Sequence, residues 1–65
     1  SENAHTVLDV GCGAGYFVAA CKNNNITAEG IDVSEKLVTF GNLQLEDIYG
    51  EKNLLATVPE KQLFV

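Results

Sequence analysis

Residues 6–15 read Thr6-Val7-Leu8-Asp9-Val10-Gly11-Cys12-Gly13-Ala14-Gly15, and residues 28–34 read Ala28-Glu29-Gly30-Ile31-Asp32-Val33-Ser34. A short apolar run ends in three glycines at alternate positions. A helix-forming segment then leads to a second apolar run that ends in a lone carboxylate. This order describes a β-α-β unit with a nucleotide-cofactor loop between its first strand and its helix. The fold class expected is α/β, a Rossmann-like β-α-β-α piece of a doubly wound, mostly parallel sheet.

Val7, Leu8 and Val10 suit a strand buried on both faces of a parallel sheet. Gly11, Gly13 and Gly15 have no Cβ, so they accept positive φ and let the backbone come close to a ligand. The helix after them points free N–H groups toward the site. Asp32 stands 21 residues after Gly11. There its carboxylate, which only accepts hydrogen bonds when ionised, can take both hydroxyls of a ribose.

The dinucleotide fingerprint requires glycines at its first, third and sixth positions. Counted from Gly11, the sixth position is Tyr16. The stretch Asp9-Val10-Gly11-Cys12-Gly13-Ala14-Gly15 resembles the first motif of class I S-adenosylmethionine-dependent methyltransferases. Gly30-Ile31-Asp32-Val33-Ser34 resembles that family's next motif, at the expected distance. The resemblance covers roughly residues 6–45.

The resemblance implies S-adenosylmethionine as cofactor and S-adenosylhomocysteine as product. It places Gly11, Gly13 and Gly15 under the methionine end of the cofactor. It gives Asp9 a part in holding the methionyl amino group, although Asp9 fits equally well as a structural residue bonding the loop N–H groups. Val33 is placed to pack on the adenine face, and Tyr16 or Phe17 to touch the cofactor at the helix start. Cys12 lies within the same loop and counts by this resemblance among the cofactor-binding residues; it has no His or basic residue near it in sequence, so packing is favoured over a nucleophilic role.

Four lysines and no arginine stand against nine acidic residues, a net charge of −5. This segment therefore carries no electrostatic footprint for nucleic acid. Its two cysteines form no disulfide scaffold, and with His5 as the single histidine no zinc-ligand spacing exists. Reduced thiols fit a cytoplasmic setting. No apolar run approaches the roughly 20 residues of a membrane span, and no signal peptide is visible.

The strands are expected at Thr6–Val10 and Thr27–Asp32, with a helix from Ala14 to Asn23 between them. Phe17, Ala20 and Cys21 fall on one face of that helix, with Val18 beside them. Asn23-Asn24-Asn25 ends it, because Asn tolerates the left-handed conformation. Ser34 is an N-cap for a second helix from Glu35 to Leu45, with Leu37, Phe40 and Leu43 or Gln44 on one face. Leu43–Leu45 also fits a strand. Glu46 to Asn53 reads as a polar connection turning at Gly50. Leu54 to Val58 reads as a third strand, and residues 63–65 as the opening of another.

Residues 1–5 are expected to be a disordered tail. Residues 6–65 are expected to be a partial methyltransferase domain, truncated before its acceptor-binding part. A domain of this size buries only about 60% of its unfolded surface, and such a piece leaves sheet edges open, so pairing with another copy is expected. The function expected is the cofactor-binding part of a methyltransferase with an unidentified acceptor, without turnover by itself. Two alternatives stand beside it: part of an NAD(P)- or flavin-dependent oxidoreductase, and a non-catalytic methyltransferase-like binding module.

Overall fold

In the computed structural model, which describes residues 6–57, five elements succeed one another. They are β1 (Thr6–Val10), α1 (Tyr16–Asn23), β2 (Thr27–Asp32), α2 (Glu35–Tyr49) and β3 (Leu54–Ala56). The strands form one parallel sheet in the order β1-β2-β3, the Rossmann-like pattern expected. Asp9 pairs in register with Gly30, and Val10 with Ile31. The ends of β1 and β2 therefore lie side by side, which brings the glycine loop and Asp32 to the same end of the sheet. Residues 1–5, Val58 and the strand expected at residues 63–65 lie outside the described residues.

Helix α1 starts at Tyr16, two residues later than expected. Gly11, Gly13 and Gly15 carry φ of 80°, 57° and 83°, and a right-handed helix cannot begin until that left-handed run is over. At the other end the Asn run acts as anticipated. Asn24 Nδ2 donates to Ala20 O at 2.8 Å, and Asn25 takes the left-handed conformation at φ 63°. Ser34 caps α2, its Oγ accepting from Leu37 N–H at 3.3 Å. That helix continues four residues past Leu45, to Tyr49. Gly50 (φ 77°) ends it, donating its N–H to Glu46 O at 2.9 Å.

The buried faces differ from those expected. Val18 and Cys21 are the buried residues of α1, whereas Phe17 is 55% exposed and Ala20 is exposed. In α2 the buried positions are Val38, Gly41 and Leu45, while Leu37, Phe40, Leu43 and Gln44 face outward. The stripe is helical, at i, i+3 and i+7, but one of its members is a glycine, so a search for large apolar residues selects the neighbouring face. The core comprises Cys12, Val18, Cys21, Ala28, Val38, Leu45 and Leu54.

Among the described residues the sheet is covered on one face only. Val7, Ala28 and Leu54 belong to or pack on the core, while Leu8, Val10 and Leu55 are exposed. Two successive right-handed crossovers that advance in the same direction place both helices on the same side. The expectation that β1 is buried on both faces therefore fails among the described residues. At the sheet end remote from the glycine loop, Lys22 Nζ pairs with Glu51 at 3.0 Å. There Tyr49 OH donates to Ala19 O at 3.3 Å, tying α1 to α2.

Candidate functional site

The glycine loop is anchored on β2 and closed by one bond of its own. Gly11 N–H and Cys12 N–H both donate to Ile31 O, at 2.8 and 3.0 Å, and Gly15 N–H donates to Cys12 O at 2.9 Å. The Asp32 carboxylate adds a second anchor. Its Oδ2 accepts from Gly13 N–H and its Oδ1 from Ser34 N–H, both at 2.8 Å. The loop, the end of β2 and the start of α2 thus converge on one carboxylate.

These bonds hold the Asp32 carboxyl below the usual carboxylate range, the Ser34 N–H contributing most and the Gly13 N–H next. An ionised carboxylate offers about four acceptor positions. The two backbone N–H groups leave acceptor capacity on each oxygen. The loop-anchoring role open to Asp9 belongs here to Asp32, since no loop N–H donates to Asp9 among the described residues.

The three loop glycines serve different ends. A Cβ on Gly11 would meet nothing within 4 Å, and one on Gly13 only Leu37 Cδ1 at 3.8 Å. Both have positive φ and open space where a Cβ would stand, so their backbone is accessible to close approach by a ligand. Gly15 instead faces inward, where a Cβ would stand 2.7 Å from Leu54 Cδ1. It is also the N-cap of α1, and no side chain caps that helix. The N–H groups of the first turn of α1 are therefore left without a side-chain acceptor.

Cys12 is buried against Gly30, whose added Cβ would stand 2.6 Å from Cys12 Cβ. Burial pushes its thiol upward, and the charges of Asp32 and Asp9 push it further. A thiol so placed is a packing group, not a nucleophile. Tyr16 and Val33 flank the loop and β2 as exposed side chains. The structure thus brings Asp32, Gly11, Cys12, Gly13 and Gly15 together, with Asp9 two residues before Gly11 on β1, paired with Gly30.

Four residues of the site were not singled out by sequence reasoning: Ser34 through its N–H, Gly30, Gly41 and Leu54. Gly41 and Gly30 leave room for Ala14 and Cys12. The available signal was that Gly41 falls on the same helical stripe as Val38 and Leu45.

No family model and no curated protein matches the chain. Solved structures do. A SAM-dependent methyltransferase from Archaeoglobus fulgidus is 31% identical over 85% of this chain and 22% of its own length, with a TM-score of 0.62. One from Aquifex aeolicus is 30% identical over 88% of this chain and 31% of its own, with a TM-score of 0.63. The geranyl diphosphate C-methyltransferase of Streptomyces coelicolor A3(2), solved with Mg2+, geranyl diphosphate and S-adenosyl-L-homocysteine, is 27% identical. That match covers 85% of this chain and 21% of the enzyme, with a TM-score of 0.64. The chain thus spans between a fifth and a third of the length of these three proteins. At this identity and TM-score, the β-α-β-α-β sheet of this chain fits a piece of a class I S-adenosylmethionine-dependent methyltransferase.

Proposed function

We propose that this chain binds S-adenosylmethionine and forms the cofactor-binding part of an enzyme that transfers the methyl group to an acceptor, leaving S-adenosylhomocysteine. The observation that carries the reading is the Asp32 carboxylate. It accepts the Gly13 N–H at 2.8 Å from the first loop and keeps acceptor capacity beside the open backbone of Gly11 and Gly13. The donor set fits the cofactor. A ribose diol needs acceptors, an ammonium needs a carboxylate such as Asp9, and a methionyl chain needs close backbone approach.

In this reading Gly11 and Gly13 line the methionine end, and Asp9 holds its amino group. Asp32 accepts the ribose hydroxyls, Val33 covers an adenine face, and Tyr16 borders the site at the start of α1. Cys12 and Gly15 hold the loop from behind. When bound, S-adenosylmethionine would supply a methyl group on a positively charged sulfur; an acceptor nucleophile would form the new bond to that carbon as the S–C bond breaks and S-adenosylhomocysteine leaves. The residues of this chain bind and orient, so no acid, base or nucleophile is required of them.

The acceptor is recognised by parts of the longer enzyme that this chain does not span. A cytoplasmic location is supported by two free thiols. No described helix is long and apolar enough to cross a membrane. The acidic balance supports a segment that does not itself read nucleic acid. The exposed apolar side chains Leu8, Val10 and Leu55 support self-association of the chain by itself.

Calorimetric titration of the chain with S-adenosylhomocysteine and with NAD tests the proposal, with Asp32→Asn as the variant. Binding of S-adenosylhomocysteine alone is expected, weakened about tenfold or more in Asp32→Asn by loss of a charged acceptor. Binding of NAD alone would overturn the proposal in favour of an oxidoreductase. Binding of S-adenosylhomocysteine unchanged in Asp32→Asn would remove the ribose from Asp32.

A further inference from the structure

We propose that Asn42 is a positioning residue for the glycine loop and acts through Leu54. Its consequence for cofactor affinity rests on the proposed role of the loop in holding S-adenosylmethionine. Its consequence for the loop itself does not.

The ladder to β2 uses alternate residues of β3. Gly30 N–H donates to Asn53 O at 2.9 Å, and Thr57 N–H donates to Asp32 O at 2.8 Å. Leu54 N–H and C=O therefore point away from β2, toward the outer edge of the sheet. There the Asn42 side chain, reaching from α2, meets both groups. Its Oδ1 accepts from Leu54 N–H at 3.0 Å, and its Nδ2 donates to Leu54 O at 2.9 Å. One side-chain amide stands where a neighbouring strand would pair.

The Leu54 side chain then decides what this does. It is 7% exposed. A Cβ added at Gly15, Gly30 or Gly41 would in each case meet Leu54, at 2.7, 3.0 and 2.5 Å. Leu54 thus fills the space left free by three glycines on three elements: the loop, β2 and α2. β3 is only three residues long, and a slip of one residue would carry Leu54 to the bare face and bring Leu55 inward. The two bonds from Asn42 fix that register. They hold a side chain directly beneath Gly15, although Asn42 makes no hydrogen bond to the loop or to Asp32.

The test is amide hydrogen exchange by NMR on this chain, with S-adenosylhomocysteine affinity measured in parallel. The proteins are wild type, Asn42→Leu, Leu54→Ala and the double variant. Asn42→Leu is expected to speed exchange of Gly13 N–H and Gly15 N–H by about tenfold while Gly11 N–H, held on Ile31, stays within about twofold of wild type. Affinity falls by a similar factor. Because Asn42 acts through Leu54, Asn42→Leu is expected to add little to Leu54→Ala, a non-additivity that two independent sites would not give. Should Asn42→Leu fail to fold, Asn42→Asp, which keeps an acceptor for Leu54 N–H, carries the same cycle. Wild-type loop exchange in Asn42→Leu, an equal rise at every amide, or full additivity in the cycle would each overturn the proposal. A wild-type chain that does not bind S-adenosylhomocysteine would overturn the functional reading instead, and the exchange data would still judge Asn42.

Discussion

Gly41 of α2 lies against the carbonyl of Ala14 in the glycine loop so closely that a Cβ built on Gly41 overlaps that oxygen. A glycine inside a helix costs about 1 kcal/mol relative to alanine. Here the missing side chain lets the backbone of α2 seat directly against the loop.

A large side chain at this position has nowhere to go, since Ala14 backbone and Leu54 both stand in its path. Gly41→Val is expected to lower stability by about 1–3 kcal/mol, as overpacking does. It should also weaken S-adenosylhomocysteine binding. Urea denaturation followed by circular dichroism measures the first and calorimetry the second. An unchanged urea midpoint would show that α2 can move away from the loop at no cost.

Asp32 links stability to pH. Its folded carboxyl lies below the ordinary value, chiefly because Ser34 N–H and Gly13 N–H donate to the ionised form. A depressed folded value means that the stabilisation is complete above the unfolded pKa of about 3.9. It is lost as pH falls through the lower folded value. The urea midpoint of the wild type should therefore fall below about pH 4 more steeply than that of Asp32→Asn. Parallel acid limbs would remove Asp32 as a contributor.

Cys12 and Cys21 are both buried and free. The Cys12 thiol is pushed upward by burial first, then by Asp32 and Asp9. At pH 7.5 the folded chain should react with an aromatic disulfide reagent at least about tenfold more slowly than the chain in urea, which should yield two thiols. Fast labelling of one thiol in the folded chain would show that the loop opens on the labelling timescale.

The bare sheet face carries Val10 at 72% and Leu8 at 57% exposure. Val10→Lys should leave the urea midpoint nearly unchanged, because an exposed position contributes within about 0.5 kcal/mol. It should reduce association in sedimentation equilibrium at high concentration. A wild-type chain that sediments as a monomer would remove this face as a self-association surface.

Residues differ in how openly they signal the structure they build. Alternate glycines between two apolar runs fit few local structures besides a strand-loop-helix turn, so β1, the loop and β2 were legible to within two residues. Ser34 declared the start of α2 by its side chain. The buried face of α2 was hidden because one of its members is Gly41, whose importance is the absence of atoms. The bare face of β1 was hidden for a different reason: Val7-Leu8-Asp9-Val10 reads the same whether one or two layers cover the strand. The place of Asp32, at the end of β2 beside the glycine loop, was legible from its spacing. Its grip on Gly13 was not, since it depends on how two strands align in register.

Asn42 also makes the two margins of the sheet unequal. At β3 its amide occupies the Leu54 N–H and C=O, as a terminator occupies the last position of a polymer. At β1, Gly11 N–H bonds to β2, so the alternating N–H and C=O groups of Thr6, Leu8 and Val10 turn outward. Among the described residues, one margin of the sheet is therefore closed at Leu54 by a side chain of its own helix, and the margin at β1 carries no such closure.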